Sequence, residues 1–318
     1  MLQSTNRTQP QTIDDLIDPT LSARLTSLDV TSRKVFAGKL KGERRSKRRG
    51  ESVEFADHRP YVVGDDLRHI DWNIFARLDH LFLKLFMEEE DLSLHLVVDC
   101  TASADCGEPS KFQFMQRAAA ALGYIGLVNL NRVACTALGE RATELEPTSG
   151  GVAGSIRDLR GKRRVHDLAK FLCTLQPAGG SDFRAACKRI ALTRRGRGVM
   201  VVLSDFFYKE GYEDGLRMLV GRGYDVFCIQ VLAPQELEPT APGGVAGDLR
   251  LKDMEDADLA EVTISAPLIK RYKAMLGAYC DGLRDFCARR EIGMITVSSE
   301  TEIDTLLLDY LRRRGVVR

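Results

Sequence analysis

The sequence predicts the α/β class: a doubly wound, mostly parallel sheet with a small N-terminal β-rich subdomain and an inserted β-hairpin. From Leu92 onward, apolar runs of strand length alternate with runs of helical spacing, which is the pattern of βαβ units. The mostly apolar run 94–98 is bounded by polar residues and is typical of a buried strand. Three oxygen-bearing side chains follow it directly, and in open α/β sheets ligands bind beyond the carboxyl ends of the strands.

Residues 1–30 are predicted to form a tail and short helices. Residues 1–12 are polar and rich in Gln and Thr, which is typical of a loose terminus. Residues 13–28 carry apolar side chains at helical spacing, but Pro19 lies among them. Because proline disrupts a helix interior, we expect one short helix before it and a second helix after it.

Residues 31–91 are predicted to be a small β-rich subdomain. Pro60 and the pair Gly64 and Asp65 mark turns, and residues 81–86 have the pattern of a strand. Buried charges need partners, so we expect the Arg and Asp side chains of this segment to form ion pairs that hold its loops, with a catalytic cluster as the alternative. The residues concerned are Asp57, Arg59, Asp66, Arg68 and Asp71.

A basic arm lies within the same subdomain, at residues 39–50. Its candidate contact residues are Arg44, Arg45, Lys47, Arg48 and Arg49. Such a run is compatible with nucleic-acid or phosphate binding, with a protein contact, or with a solvated arm. No aromatic residue is interleaved in it, so a base-stacking platform is unsupported. We therefore favour a solvated arm or a protein contact over nucleic acid.

Composition favours a cytoplasmic protein. The formal net charge of +1 gives no global field that would attract nucleic acid or anionic lipid. The eight cysteines include no Cys-x-x-Cys pair, which predicts free thiols in a reducing compartment. No apolar run approaches the ~20 residues needed to span a bilayer, and residues 1–18 lack an export pattern, so we expect no membrane insertion.

Residues 92–318 are predicted to form the main domain. After the first strand, the predicted elements are helix 111–130, strand 132–138, a short edge strand at 141–146, helix 156–175, helix 182–194, strand 199–203, helix 211–222 and strand 226–232. Helix 156–175 is predicted from apolar residues at helical spacing, among them Leu168 and Leu172.

An insertion interrupts this alternation at residues 234–265. Pro, Gly and Asp cluster there, and two short alternating runs, 248–253 and 260–264, predict a β-hairpin. Helix 267–290, strand 292–297 and helix 302–313 then complete the domain.

Asp99, Thr101 and Ser103 occupy alternate positions just beyond the first strand of this domain. A carboxylate and two hydroxyls on one loop are hard ligands, which suit Mg²⁺ or another hard divalent cation. The structural alternative is a turn in which the Asp and Ser side chains cap the next helix.

Two later segments extend this pattern. Gly179-Gly180-Ser181-Asp182 forms a small loop, and Val201-Val202-Leu203-Ser204-Asp205 is an apolar run that ends in an acid. With Asp-x-Thr-x-Ser, these segments resemble the metal-ion-dependent adhesion motif of von Willebrand factor A domains. Thr101 stands where Ser is more usual and Ser181 where Thr is more usual, but both keep the hydroxyl.

The residues before this domain carry a longer and more specific resemblance. Glu-Phe-Ala-Asp-His-Arg-Pro-Tyr at 54–61 and Gly-Asp-Asp-Leu-Arg-His-Ile-Asp-Trp at 64–72 resemble the signature of the domain-of-unknown-function family fifty-eight.

The resemblance to von Willebrand factor A domains implies a set of ligands. Thr101 and Ser103 would bind the ion directly, Ser181 would supply the third hydroxyl, and Asp99 and Asp205 would supply negative charge, often through water. Octahedral Mg²⁺ keeps several waters, so a carboxylate from a partner can take one position. The ion would then bridge two proteins.

The family resemblance also implies partners. Proteins of domain-of-unknown-function family fifty-eight are typically associated with MoxR-type AAA+ ATPases. We therefore expect a non-enzymatic, chaperone-like adaptor that acts with such an ATPase, and with a client protein, in the assembly or maturation of complexes. Asp182, Phe206 and Glu108 are the expected partner-binding residues at the rim of the site.

A metal-dependent hydrolase or phosphatase is the alternative function. Asp99 superficially resembles the nucleophile of haloacid-dehalogenase-type phosphatases, but Thr101 stands where those enzymes place the general acid. The sequence has no Walker loop, no Gly-x-Gly-x-x-Gly opening a helix and no Gly-x-Ser-x-Gly elbow. Cys100 and Cys106 flank the loop, and a redox switch there would require an exposed thiol of low pKa.

Overall fold

A six-stranded sheet lies at the centre of the larger of two units. In the computed structural model, the described residues are 10, 12–31, 55–86, 92–139, 151–193, 198–239, 248–252, 259–263 and 265–317. One unit comprises Met1–Lys41 and Leu92–Arg318, and the other comprises Gly42–Asp91. The predicted edge strand at 141–146 and the basic arm at 39–50 lie outside the described residues.

The strands of the sheet are β3 (Ser93–Asp99), β4 (Arg132–Leu138), β5 (Val152–Leu159), β6 (Gly198–Ser204), β7 (Asp225–Leu232) and β10 (Gly293–Ser298). Their order across the sheet is β10-β7-β6-β3-β4-β5. Only the pairing of β5 with β4 is antiparallel, and the other four pairings are parallel. The predicted α/β class with a mostly parallel sheet is confirmed.

Strand β3 shows how the sheet is buried on both faces. Successive side chains of a strand point to opposite faces. Leu94, Leu96 and Val98 belong to one hydrophobic core, whereas Val97 belongs to the other. All four side chains are fully buried. Helices therefore cover both faces, and the nearly continuous apolar run of β3 reflects this double burial.

Eight α-helices of this unit are described, and two of them are single turns of four residues. They are α1 (Ile13–Leu16), α2 (Pro19–Leu25), α4 (Lys111–Val128), α5 (Val165–Thr174), α6 (Phe183–Thr193), α7 (Glu213–Gly221), α8 (Pro234–Leu237) and α9 (Ala266–Ala288), where α3 belongs to the small unit below. Thr305–Leu311 winds as a π-helix near the C-terminus. Within the described residues, no helix is both long and apolar enough to cross a membrane.

The N-terminal helices pack onto the same core as β3. Leu16, Leu21 and Leu25 are buried in it. Pro19 is the first residue of α2, where its missing N–H costs no helical hydrogen bond. Beyond α2, Val30 pairs with Val317 in an isolated antiparallel bridge. The first helices are thus tied to the main domain rather than forming a separate layer.

The small unit contains strands β1 (Phe55–Pro60) and β2 (Phe82–Phe86), which pair antiparallel, and helix α3 (Trp72–Leu78) between them. The inserted hairpin of the larger unit consists of β8 (Asp248–Lys252) and β9 (Leu259–Thr263), also antiparallel.

One predicted helix is wrong. Residues 156–175 were expected to be helical throughout, but Ile156 lies in strand β5 and the helix begins only at Val165. Between them, Asp158 and Gly161 adopt positive φ angles of 53° and 83°. A right-handed helix cannot continue through such residues, so the strand turns there into the short 3₁₀ segment before α5.

Candidate functional site

Polar residues gather where β3 and β6 end side by side. After β3 the chain continues to β4 on one side of the sheet, whereas after β6 it continues to β7 on the other side. The loops that follow the two strands therefore lead away in opposite directions, which makes this place the topological switch point of an open α/β sheet. Asp99 is the last residue of β3, Ser204 is the last residue of β6, and Asp205 follows it.

The Asp99 carboxylate is fully buried and accepts four hydrogen bonds. Oδ1 accepts from the Thr101 amide at 3.1 Å and from Thr101 Oγ1 at 2.8 Å. Oδ2 accepts from Ser204 Oγ at 2.6 Å and from the Tyr208 hydroxyl at 2.9 Å. Burial and the nearby charge of Asp205 raise the pKa of Asp99, and the hydrogen bonds from Ser204 and Thr101 oppose that rise. The donors that the described part of the chain gives this carboxylate are thus all neutral groups.

Two hydroxyls face each other beside this carboxylate. Thr101 Oγ1 and Ser103 Oγ lie 2.9 Å apart. Thr101 is buried, whereas Ser103 is partly exposed at the start of the 3₁₀ turn Ala102–Asp105. In an octahedral Mg²⁺ site with metal–oxygen bonds of about 2.1 Å, adjacent ligand oxygens are about 3.0 Å apart. The spacing of the two hydroxyls fits one edge of such an octahedron.

Asp205 is held by a buried lysine. Lys111 Nζ lies 2.7 Å from Asp205 Oδ2 and 2.7 Å from Glu236 Oε1. The Lys111 side chain is only 1% exposed. Burial opposes its charge, but Asp205 and Glu236 together outweigh burial and raise the pKa of Lys111. Because Asp205 Oδ1 also accepts the Phe207 amide at 3.0 Å, both of its oxygens have donors within the protein.

The Gly-Gly-Ser loop lies alongside the loop after β3. Gly179 accepts a backbone hydrogen bond from Ala102 at 2.9 Å, which joins the two loops. Ser181 is partly exposed, and its hydroxyl donates to the Gly151 carbonyl at 3.3 Å. The hydroxyls of Thr101 and Ser103 are therefore in direct contact with each other. The loop that carries Ser181 lies beside them, but the Ser181 hydroxyl is hydrogen-bonded to the Gly151 carbonyl.

The three expected partner-binding residues differ in exposure. Asp182 is exposed and accepts the Ala185 amide at the start of α6, at 2.8 Å. Glu108 is exposed, and its backbone exchanges two hydrogen bonds with the Gln235 side chain. The Phe206 side chain is fully buried in the core, and its role in binding a partner stays a prediction.

The thiols beside the site do not meet the requirement for a redox switch. Cys100 is fully buried, and burial followed by the charges of Asp99 and Asp105 raises its pKa to about 12. Cys106 is also buried, and burial raises its pKa. A thiol that stays protonated and shielded is a poor nucleophile.

The charged residues of the small unit pair with one another, as the structural interpretation predicts. Arg59 bonds to Asp65 at 2.7 Å, and Arg68 bonds to Asp66 at 2.7 Å. The side chain of Asp57 lies outside the described residues.

Asp71 in the same unit caps the start of α3 by accepting the amides of Asn73 and Ile74. The His58 imidazole lies 3.0 Å from its carboxylate. That hydrogen bond, with the two amides and Lys84, lowers the pKa of Asp71 to about 2. These contacts are of the kind that the structural interpretation predicts for this unit.

Four residues of the site escaped the sequence analysis: Lys111, Ser204, Tyr208 and Glu236. Ser204 carries a visible signal, because it precedes the predicted acid Asp205 at the end of an apolar strand. Lys111 opens a predicted helix, and nothing in its local sequence indicates burial. Tyr208 and Glu236 reach the site only through the path of the chain after β6 and β7.

The donor set decides what kind of ion suits the site. Among the described residues, no group of three or more His, Cys, Asp or Glu side chains is arranged to hold a metal ion. The oxygens that converge are mainly hydroxyls, backed by the buried carboxylates of Asp99 and Asp205. Hard oxygens of this kind fit Mg²⁺ or a similar cation and do not fit a thiolate or imidazole metal.

The fold and site together define an α/β protein with a cluster of buried polar and charged side chains at the switch point of a mostly parallel sheet. The chain belongs to the family described as "Protein of unknown function DUF58", which matches residues 57–278. It is 30% identical over 260 residues to "Uncharacterized protein Rv1480" of Mycobacterium tuberculosis and to "Uncharacterized protein Mb1516" of Mycobacterium bovis. Each match covers 80% of this chain and 77% of the relative.

Among solved structures, this chain is similar to the pilus adhesin SpaC from Lactobacillus rhamnosus GG in its open conformation. The TM-score is 0.36 and the identity is 10%, over 46% of this chain. The match spans 24% of the adhesin's length. A likeness at this level carries no inference about function.

Proposed function

We propose that this protein is a non-enzymatic, metal-dependent adaptor of the von Willebrand factor A type. Thr101 and Ser103 hold a hard divalent cation, Mg²⁺ in the cell, through their hydroxyls. Ser181 supplies a third hydroxyl after it turns from the Gly151 carbonyl. A carboxylate from a partner protein completes the shell.

The observation that carries this proposal is the pair of facing hydroxyls beside two buried carboxylates. The 2.9 Å separation of Thr101 Oγ1 and Ser103 Oγ suits adjacent ligands of one ion. The oxygens of Asp99 and Asp205 already accept hydrogen bonds within the protein. These carboxylates would therefore act on the ion through water and through their charge, while neutral hydroxyls bind it directly.

Charge balance supports the same role. The carboxylates of Asp99, Asp205 and Glu236 and the ammonium of Lys111 leave two net negative charges when Asp99 is ionised. A divalent cation neutralises them. Direct ligation by neutral hydroxyls alone gives a weak site, because cation affinity rises with the number of charged ligands. An added carboxylate from a partner is then the group that makes binding firm.

The proposed partner is a MoxR-type AAA+ ATPase, with which the protein assists the assembly or maturation of a client complex. Asp182 and Glu108 are exposed near the loops of the site and are the proposed contacts at its rim. The partner is proposed from the family resemblance. Because Asp182 and Glu108 are exposed carboxylates, the docking surface of the partner is expected to carry basic groups around the one acid that binds the ion.

The metal step is tested first, on the full chain alone. Calorimetric titration with MnCl₂ and MgCl₂ should show one site, and Ser103→Ala should weaken binding at least tenfold. Ser155→Ala is the matched control, because it makes the same change at an exposed position on edge strand β5. Equal affinities for the wild type and Ser103→Ala would remove the hydroxyl site.

The docking step is tested next, with the MoxR-type ATPase from the same genome. Binding should be strong with Mg²⁺, and it should be lost with a chelator or in Asp99→Ala. The same affinity in all three conditions would exclude a metal bridge while leaving other modes of association open.

A metal-dependent hydrolase is the alternative, and the burial of Asp99 weighs against it. A nucleophile must reach its substrate, yet this carboxylate is fully buried and both of its oxygens accept hydrogen bonds. Turnover of a generic phosphoester that disappears in Asp99→Asn would reverse this choice.

A further inference from the structure

Lys111 is a fully buried lysine beside the site. Its ammonium joins two elements, because it donates to Asp205 after β6 and to Glu236 in α8. Both distances are 2.7 Å, and the Lys111 side chain is 1% exposed. An ammonium taken out of water keeps its charge only when such partners compensate for the lost hydration.

In this arrangement the Asp205 carboxylate would lie between the Lys111 ammonium and the proposed ion. Asp205 Oδ2 faces the ammonium, and Asp205 Oδ1 accepts the Phe207 amide. Both oxygens of Asp205 thus have a donor within the protein, and the Lys111 ammonium offsets much of the carboxylate's charge. Glu236 reduces this offset, because it shares the Lys111 ammonium with Asp205. The second carboxylate oxygen of Glu236 accepts the Ala233 amide at 2.7 Å, which fixes the position of the side chain.

We propose that Lys111 is a positioning residue that sets the cation affinity of the site. This inference rests on the proposed function and names how that site is regulated. The ammonium lowers the affinity of the isolated protein for a divalent cation, so that the partner carboxylate is needed for firm binding. Glu236 moderates the effect by sharing the ammonium with Asp205.

The test compares two variants, Glu236→Gln alone and Glu236→Gln combined with Lys111→Met, which differ from each other only in the Lys111 ammonium. In Glu236→Gln, Lys111 is balanced by Asp205 alone, and Mn²⁺ affinity should fall about tenfold. In the double variant Glu236→Gln with Lys111→Met, the ammonium is gone and no surplus carboxylate is left beside Asp205. Its Mn²⁺ affinity should exceed that of Glu236→Gln at least tenfold. Affinity is measured by calorimetry and by the electron paramagnetic resonance signal of free Mn²⁺, on full chains shown to be folded by circular dichroism.

Two controls separate this role from general effects. Glu238→Gln makes the same charge change two residues away, on an exposed acid paired with Lys273, and should change Mn²⁺ affinity less than twofold. Lys111→Arg keeps the charge and should keep the affinity within about threefold. If the double variant does not fold, Glu236→Gln against Glu238→Gln decides, because equal affinities of these two contradict the inference.

The outcomes distinguish the two proposals. If the wild type binds Mn²⁺ and the double variant binds it no better than Glu236→Gln, the role of Lys111 falls and the metal site stands. If the wild type does not bind but the double variant does, Lys111 is the block and the inference holds. If no variant binds Mn²⁺, the proposed function and this inference are both overturned.

Discussion

The Tyr208 hydroxyl offers a direct measure of how the buried carboxylate is supported. It donates to Asp99 Oδ2 at 2.9 Å and lies 2.8 Å from Ser204 Oγ. In Tyr208→Phe, the ring stacked on Phe183 at 4.4 Å is kept and only the hydroxyl is lost. A hydrogen bond to a charged group contributes about 1.5–3 kcal/mol, and a group left without its donor in the interior costs a similar amount. We therefore expect the variant to lose about 1.5–3 kcal/mol of unfolding free energy.

Urea denaturation at neutral pH, followed by circular dichroism, measures this loss as a shift of the midpoint at constant slope. Tyr212→Phe is the matched control, because Tyr212 is buried in the same aromatic cluster and packs against Phe206 at 6.5 Å. A double-mutant cycle with Asp99→Asn isolates the charged part of the contact, for which we expect a coupling of about 1 kcal/mol. A loss no larger than that of Tyr212→Phe, with zero coupling, would show that the carboxylate does not depend on Tyr208.

Two further predictions concern packing and pH. Gly123→Ala should lower the free energy of unfolding, measured by urea denaturation, by about 1–3 kcal/mol, because the new methyl would lie 2.2 Å from Leu168 Cδ2. Gly277→Ala has open space around the new methyl and should raise the free energy of unfolding by about 0.4–1 kcal/mol. A change of the same sign in both variants would refute this reasoning. Asp71, with a pKa of about 2 against an ordinary 3.8, stabilises the small unit above pH 3.8 and loses that effect as the pH falls toward 2. Emission of Trp72, the chain's one tryptophan, should report this loss in an acid titration, and Asp71→Asn should abolish the transition.

The alternation of strands and helices was predictable because the sheet is buried on both faces. Residues 94–98 of strand β3 are apolar except for His95 for that reason, and buried runs of this kind are recognisable in a single sequence. Strand β5 is different, since it lies at the sheet edge and mixes exposed and buried residues. Its apolar residues happen to continue the helical spacing of α5, so local pattern favoured a helix. The positive φ at Asp158, one residue before the end of the strand, has no marker in the sequence.

The site was predictable only in part, for a related reason. The carboxyl ends of neighbouring parallel strands meet at one edge, so an acid after each strand indicated a common site. Asp99 and Asp205 follow this rule. Lys111 does not, because a lysine in the first turn of a helix is usually solvated, and only the fold reveals the two acids around it.

Stability alone does not explain the buried charged side chains at the switch point. Burying charged groups is costly, and a well-packed apolar replacement for a buried ion pair is often neutral or stabilising. Here Lys111 compensates Asp205 and Glu236, whereas no described residue forms an ion pair with Asp99, and burial raises its pKa. A fold selected only for stability would place an apolar or amide side chain at position 99. An ionisable group held at the switch point, with two hydroxyls beside it, is the arrangement that the proposed cation site requires.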